Sequence, residues 1–309
     1  MNLIEKPLIS VCILTYNHEH YIRQCIESIL EQKLDVKWEI VISDDCSTDQ
    51  SLKIIEEYYN RYSELIRVIN SPKNVGVIKS LINLLEASTG KYIAICEGDD
   101  YWTDRLKLKK QLSILETHTE YSMVCSNRSI LSMDGLLSLD MAYKKDIYTT
   151  ADILEGFIPG TQTMMFRNQT SLVDFLKNYH YIFSGDRYLS YFCSLFGRIY
   201  RMSDSTAVYR LTSTGIWSQI SPIEKLMKLS VQLEEFHISI GLPINNSILA
   251  EKAFNTSFSL FLYCLKRPKL LISNSYLHFI LKPFTRYSKM NRLKYLAKAI
   301  FHRINPIAR

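Results

Sequence analysis

Hydrophobic positions in the first 126 residues follow two alternating rhythms. Short apolar runs rich in β-branched residues, at 9–14, 39–43, 66–69, 92–96 and 121–126, have the length and composition of strands. Between the first two, Tyr21, Ile22, Cys25, Ile26, Ile29 and Leu30 recur at helical spacing and give one apolar face. A second helix is predicted from Ser47, because Ser47 and Gln50 form an S-x-x-Q capping box that satisfies first-turn amides. A third, over about 78–88, ends before Gly90, read as a left-handed C-terminal residue, and a fourth runs over about 104–116. Strands alternating with helices in this way predict a parallel sheet with crossover helices.

The pattern is more mixed over 129–211, with strands expected at 163–166, 199–202 and 207–211 and helices at 172–177 and 186–195, continuing the same sheet. From 221 onward it reads as several helices punctuated by Pro222, Pro243, Pro268 and Pro283. The expected organisation is an α/β domain over 1–220 and a helical extension over 221–309.

Composition keeps the chain in the folded class, at 47% apolar and 22% charged residues. The apolar stretches at 258–265 and 277–281 fall short of the roughly 20 residues a membrane-spanning helix needs. The N-terminal run has Glu5 ahead of it and no small-residue cleavage site, so it reads as a strand and not a signal peptide. Seven cysteines without a CxxC pair suit reduced thiols in a cytoplasmic location, and seven histidines without HExxH spacing give zinc no support. Charge is uneven: residues 266–309 hold eleven of the 37 Lys and Arg and none of the 31 Asp and Glu. Such a basic, amphipathic tail suits an anionic membrane surface, although nucleic acid would give a similar charge count and a helix packed on the main domain is the plain alternative.

Chemistry gathers where strands are expected to end. Glu97-Gly98-Asp99-Asp100 follows the run 92–96, and ligands of open parallel sheets bind beyond the carboxyl ends of strands. Adjacent carboxylates there repel unless a cation such as Mg²⁺ or Mn²⁺, shared with a substrate diphosphate, neutralises them; an acidic loop elsewhere is usually just solvated. Asp44 and Asp45 end the second strand. Asp45, with Asp44 beside it, can accept a base N–H or ribose hydroxyl, while Ser47 and Asp49 are explained by helix capping. Thr15-Tyr16-Asn17 offers a ring for stacking and small polar groups, or simple packing. Lys79, after Gly76, could add charge near phosphates or be a solvated surface lysine, and Trp217 could line an acceptor, close as a lid or belong to a core.

Five segments in order, ISVCILTYNHEHYIRQCIESILEQ, EIVISDDCSTDQS, NVGVIKSLINLLEASTGKYIAICEGDDYWTDRLKL, GDRYL and YRLTSTGIW, resemble glycosyltransferase family 2 over about the first 220 residues. The resemblance implies the GT-A fold, a Rossmann-like, mostly parallel sheet flanked by helices. It implies Thr15, Tyr16, Asn17 and Asp45 at the nucleobase, Asp99 and Asp100 as ribose and metal ligands of a DXD motif, and Asp186 as catalytic base, where capping of the following helix is the plain reading. The implied cofactor is Mn²⁺ or Mg²⁺ and the donor a nucleoside diphosphate sugar, a UDP-sugar first. An inverting transfer to a hydroxyl of a polysaccharide or lipid-linked glycan, as in capsule or O-antigen, would favour the membrane for the tail, on the inner face of the cell membrane, over nucleic acid. Two departures stand out: Glu97 where many members have Asp, and Leu211-Thr212 after Tyr209-Arg210 where many have a histidine.

Rival classes lack their signatures. A dinucleotide oxidoreductase needs a glycine-rich turn where this chain has Thr15-Tyr16-Asn17-His18, and neither GxxxxGK nor a glycine-rich basic N-terminal loop of a nucleotidyltransferase is present. The non-catalytic alternative is an inactive nucleotide-sugar-binding or membrane scaffold protein, against which Asp99, Asp100 and Asp186 argue.

Overall fold

The computed structural model describes residues 6–140, 145–178 and 184–213, with single positions between 215 and 228. Trp217, most of the extension from 221 and the basic segment 266–309 lie outside the described residues. The chain divides into two compact units, Met1–Asn178 with Ser184–Ser213, and Tyr179–Phe183 with Thr214–Arg309.

In the first unit the described elements are β1 (Ile9–Thr15), α1 (Ile22–Leu30), β2 (Trp38–Asp44), α2 (Ser51–Arg61), β3 (Ile66–Asn70), α3 (Val77–Ala87), β4 (Tyr92–Glu97), β5 (Tyr101–Trp102) and α4 (Lys107–Thr117). They continue as β6 (Tyr121–Leu131), β7 (Leu137–Leu139), β8 (Ile147–Tyr148), α5 (Thr150–Glu155), β9 (Met165–Arg167), α6 (Ser171–Lys177), α7 (Gly185–Ser194) and β10 (Arg198–Arg210). All strands join one sheet in the order β3-β2-β1-β4-β9-β6-β10-β5, with β7 on β6 and β8 on β10. The half from β3 to β4 is parallel. Beyond it β9 runs antiparallel between β4 and β6, and β10 lies parallel to β6. This is the α/β architecture expected from the alternation of rhythms.

Helices on both faces explain why β1 and β2 read as unbroken apolar runs. Ile9, Val11, Ile13, Ile40 and Ile42 are fully buried, and α1 sets Ile22, Cys25, Ile26 and Ile29 against them. Each such side chain stabilises the fold by about 1.5–3 kcal/mol relative to exposure.

Local expectations needed correction at five places. Helix α2 starts at Ser51, not Ser47, and no capping box forms: Ser47 turns back on Asp44, while Asp49 accepts the Ser51 amide at 2.9 Å. Gly90 is not the C-terminal residue of α3; Ser88 is, and it is extended. What Gly90 permits is close approach of two chains, since a Cβ there would stand 2.5 Å from the Ser10 nitrogen. Helix α4 starts at Lys107, after Asp104 accepts the Leu106 amide at 2.8 Å. The runs 199–202 and 207–211 fuse into one strand, β10, whose register against β6 slips near Ser205, and Thr163 ends a 3-10 turn (Thr161–Thr163) ahead of β9.

Candidate active site

Strand register builds the site. Thr15 pairs with Asp44 and Leu14 with Glu97, so β1, β2 and β4 end at one level. Here β1 has a parallel neighbour on each side, the position at which doubly wound sheets open a crevice for ligands. Asn17 leaves β1 with φ 55°, a left-handed conformation Asn tolerates better than most residues. In that pose its amide donates to the Ser47 hydroxyl at 2.9 Å and its side-chain oxygen accepts the Thr48 amide at 2.8 Å. The loops after β1 and β2 are thereby tied together, leaving the Tyr16 ring 41% exposed beside them.

Asp44 and Asp45 are both buried, each with local partners. Asp44 accepts the Ser47 hydroxyl at 2.5 Å and its amide at 2.9 Å. Asp45 accepts the Val75 and Gly76 amides, each at 2.8 Å, and so holds the loop that leads into α3. Lys79 is exposed on the first turn of that helix.

The acidic loop after β4 is packed under strain of charge. Gly98 passes so close to β1 that a Cβ would meet Thr15 Oγ1 and His18 Nδ1 at 2.8 Å each. Asp100 is 1% exposed, and its Oδ1 accepts the Arg210 amide at 2.9 Å. Burial, then the charges of Asp99 and Glu97, hold its carboxyl well above the usual carboxylate range. Burial also pushes Glu97 up to about 7, with Asp99 and Asp186 adding to the rise while a hydrogen bond from Thr161 opposes it. Glu97 Oε2 has no hydrogen-bond partner among the described residues. Tyr209 is pushed up to about 12 by burial and by Asp100, Asp99 and Glu97. His18 Nε2 lies 3.9 Å from Asp99 Oδ2, yet burial outweighs that carboxylate and lowers the imidazole pKa.

Among the described residues no three His, Cys, Asp or Glu side chains form a metal cage. The donor set nevertheless suits Mg²⁺ or Mn²⁺, which take hard oxygens and commonly rely on one or two carboxylates plus substrate phosphates. A carboxylate oxygen with no partner, and carboxyls whose pKa is raised by burial and then by one another's charge, are what such a cation would relieve.

Asp186 opens α7, where its Oδ1 accepts the Ser184 hydroxyl and, at 2.8 Å, the Arg187 amide. It is not the N-cap that the plain reading expects: Ser184 holds that position without a side-chain capping bond, and Asp186 lies in the first turn, where it shares an electrostatic field with Glu97. Gly185 sits against α3, where a Cβ would come 3.1 Å from Ile78 Cδ1. Sequence reasoning missed Arg210 as a clasp. Beyond its amide, Arg210 Nη1 donates to the Asp99 carbonyl at 2.6 Å, Nη2 reaches Gln24, and the guanidinium stacks 4.4 Å from the Tyr101 ring. The Tyr-Arg pair was visible as a motif; the roles of His18, Gln24 and Thr161 had no sequence signal.

Residues 10–189 match the model of glycosyl transferase family 2. The chain is 35% identical over 211 residues to an uncharacterized protein of Mycobacterium tuberculosis, a match covering 67% of this chain and 60% of that one. It therefore spans less than two thirds of that relative's length. The putative teichuronic acid biosynthesis glycosyltransferase TuaG of Bacillus subtilis is 32% identical over 215 residues, 69% of this chain and 82% of TuaG. In fold, the chain is similar to Staphylococcus aureus TarS in complex with UDP-GlcNAc, with TM-score 0.62 at 21% identity over 90% of this chain and 79% of that one. With the family model spanning more than half of its length and the sheet built as a GT-A sheet, the chain belongs to glycosyltransferase family 2.

Proposed function

We propose that this chain transfers a sugar from a nucleoside diphosphate donor, a UDP-sugar first, to a hydroxyl of a polysaccharide or lipid-linked glycan, with inversion at the anomeric carbon. The observation that carries the reading is the convergence of Thr15, Asp44 and Glu97 at one level of three parallel strands, with Asp186 in the same electrostatic field. TuaG, named for teichuronic acid biosynthesis, and TarS, seen with UDP-GlcNAc, support the donor class and a cell-envelope product.

In this reading the exposed Tyr16 ring stacks on the base, Thr15, Asn17, Asp44 and Asp45 shape its polar edge, and Asp99 takes the ribose hydroxyls. Asp186 accepts the acceptor hydroxyl's proton as that oxygen attacks the anomeric carbon and the bond to the diphosphate breaks on the opposite face. Asp99 and Asp100 would hold Mn²⁺ or Mg²⁺, which when bound supplies positive charge against the leaving diphosphate. Lys79 adds a mobile charge near the phosphates, and Trp217 serves as an acceptor or lid residue. Among the described residues no helix is long and apolar enough to cross a membrane. Residues 266–309 would hold the enzyme to the anionic inner face of the cell membrane, where a lipid-linked acceptor resides.

The test is release of nucleoside diphosphate from UDP-, GDP- and TDP-sugars with lipid-linked acceptors, with Mn²⁺ or Mg²⁺ against EDTA, for wild type and Asp186→Asn. One donor should turn over in a metal-dependent way, and the variant should lose about 10²–10⁴-fold in kcat with little change in donor affinity. Wild-type rates in the variant would remove Asp186 from catalysis; no turnover of any donor would sink the transferase reading.

A further inference from the structure

Arg187 follows Asp186 in the first turn of α7 and is only 9% exposed. Its Nε and Nη1 are buried and have no hydrogen-bond partner among the described residues. Burial lowers its pKa, and the neighbouring charges that oppose the shift are Asp186 and Tyr188. Asp186 does not complete it: the carboxylate is turned toward the Ser184 hydroxyl and the Arg187 amide, and no ion pair joins the two side chains. Other buried cations of the unit are provided for. Arg210 has the Asp99 carbonyl, Gln24 and a Tyr101 ring, and Lys107 has Gln111.

A buried guanidinium with two unpartnered nitrogens is costly, and it calls for a partner that the apo fold does not supply. Its planar fork matches the paired oxygens of a phosphoryl group better than a point charge does. An anionic substrate also has to approach Glu97, Asp99, Asp100 and Asp186, whose field repels it; a fixed cation beside Asp186 offsets that repulsion locally.

We propose that Arg187 is a substrate-completed cation, its guanidinium binding a phosphoryl group of the substrate that reacts beside Asp186. The assignment rests on the glycosyltransferase reading of the site and makes Arg187 a specificity residue for phosphate-bearing substrate. Two sources share this chemistry: the diphosphate of the donor, and a phosphate carried by the acceptor.

The experiment compares full-length wild type, Arg187→Met and Arg187→Lys by thermal unfolding, alone, with UDP and Mg²⁺, and with inorganic phosphate added to saturating UDP. Without ligand, Arg187→Met should melt at or above the wild-type temperature, because it removes an unpaired buried charge. Loss of the UDP-induced rise in both variants assigns Arg187 to the donor diphosphate. A preserved UDP rise with loss of the additional phosphate-induced rise assigns it to the acceptor. The proposal is overturned if Arg187→Met melts several degrees lower while both ligand responses persist, since Arg187 then has a structural partner, or if both responses are intact at unchanged stability. A wild type that responds to no nucleotide contradicts the transferase reading instead, and phosphate alone, still raising the melting temperature of wild type but not of Arg187→Met, separates that failure from this one.

Discussion

Replacing Lys107 with methionine should stabilise the protein at neutral pH and erase one pH dependence. Lys107, the first residue of α4, is fully buried, its Nζ 2.7 Å from Gln111 Oε1 and 4.2 Å from the centre of the Trp102 ring. Burial lowers its ammonium from 10.5 to about 7. A gap of about 3.5 units is worth about 5 kcal/mol at roughly 1.4 kcal/mol per unit, an upper bound on the cost of keeping this amine inside. Between about pH 7 and 10.5 the unfolded chain holds a proton that the folded chain does not, so stability rises with pH across that window and the full cost is present below it. Methionine keeps the aliphatic stem but strands Gln111 Oε1, which costs about 1–3 kcal/mol. The net gain at pH 7 should be about 2 kcal/mol. Urea unfolding of both proteins at pH 7, 8, 9 and 10 measures it, and taking the difference cancels the thiols and phenols that titrate nearby. The gap should shrink and change sign by about pH 10. A pH-independent gap, or a methionine variant less stable at pH 7, refutes the reasoning.

Gly98→Ala should raise the donor KM about tenfold and destabilise by about 1–3 kcal/mol, because the added Cβ overlaps Thr15 and His18 at the base of the site; isothermal titration with UDP reads the first effect and urea unfolding the second. Cys46, at φ 63°, holds a left-handed conformation that β-branched side chains resist. Cys46→Val should therefore cost about 1–2 kcal/mol, while Cys46→Gly should stay within about 0.5 kcal/mol, its relief of strain offset by glycine's greater freedom when unfolded. Equal stability of the two variants in urea would argue against strain at this turn.

Strand placement was legible because both faces of the parallel half are covered, so burial writes unbroken apolar runs into 9–14, 39–43 and 92–96. The same logic placed the three strand ends, and with them Thr15, Asp45 and Asp99. Turn chemistry was less legible. Ser47 and Gln50 satisfy a capping pattern, yet Asp44 competes for Ser47 and Cys46 bends the chain before α2 can start. Gly90 looked like a helix terminator because a glycine required by close contact with Ser10, 80 residues away, has the same letter as one required by a positive φ. Arg210 was hidden for a similar reason: its partners come from α1, the acidic loop and β5, and no local pattern announces a contact of that kind.

The bond from the Arg210 amide to Asp100 joins residues 110 positions apart. Closing so long a loop must wait until β6 and β9 have taken their places between β4 and β10, whereas β1, β2, β3 and β4 close over short crossovers. In a chain made from its N-terminus, the parallel half of the sheet can gather first and the acidic loop receives its clasp last. The geometry of the acidic loop is thus tied to topology: Asp100 gains the Arg210 amide only when β10 has joined the sheet.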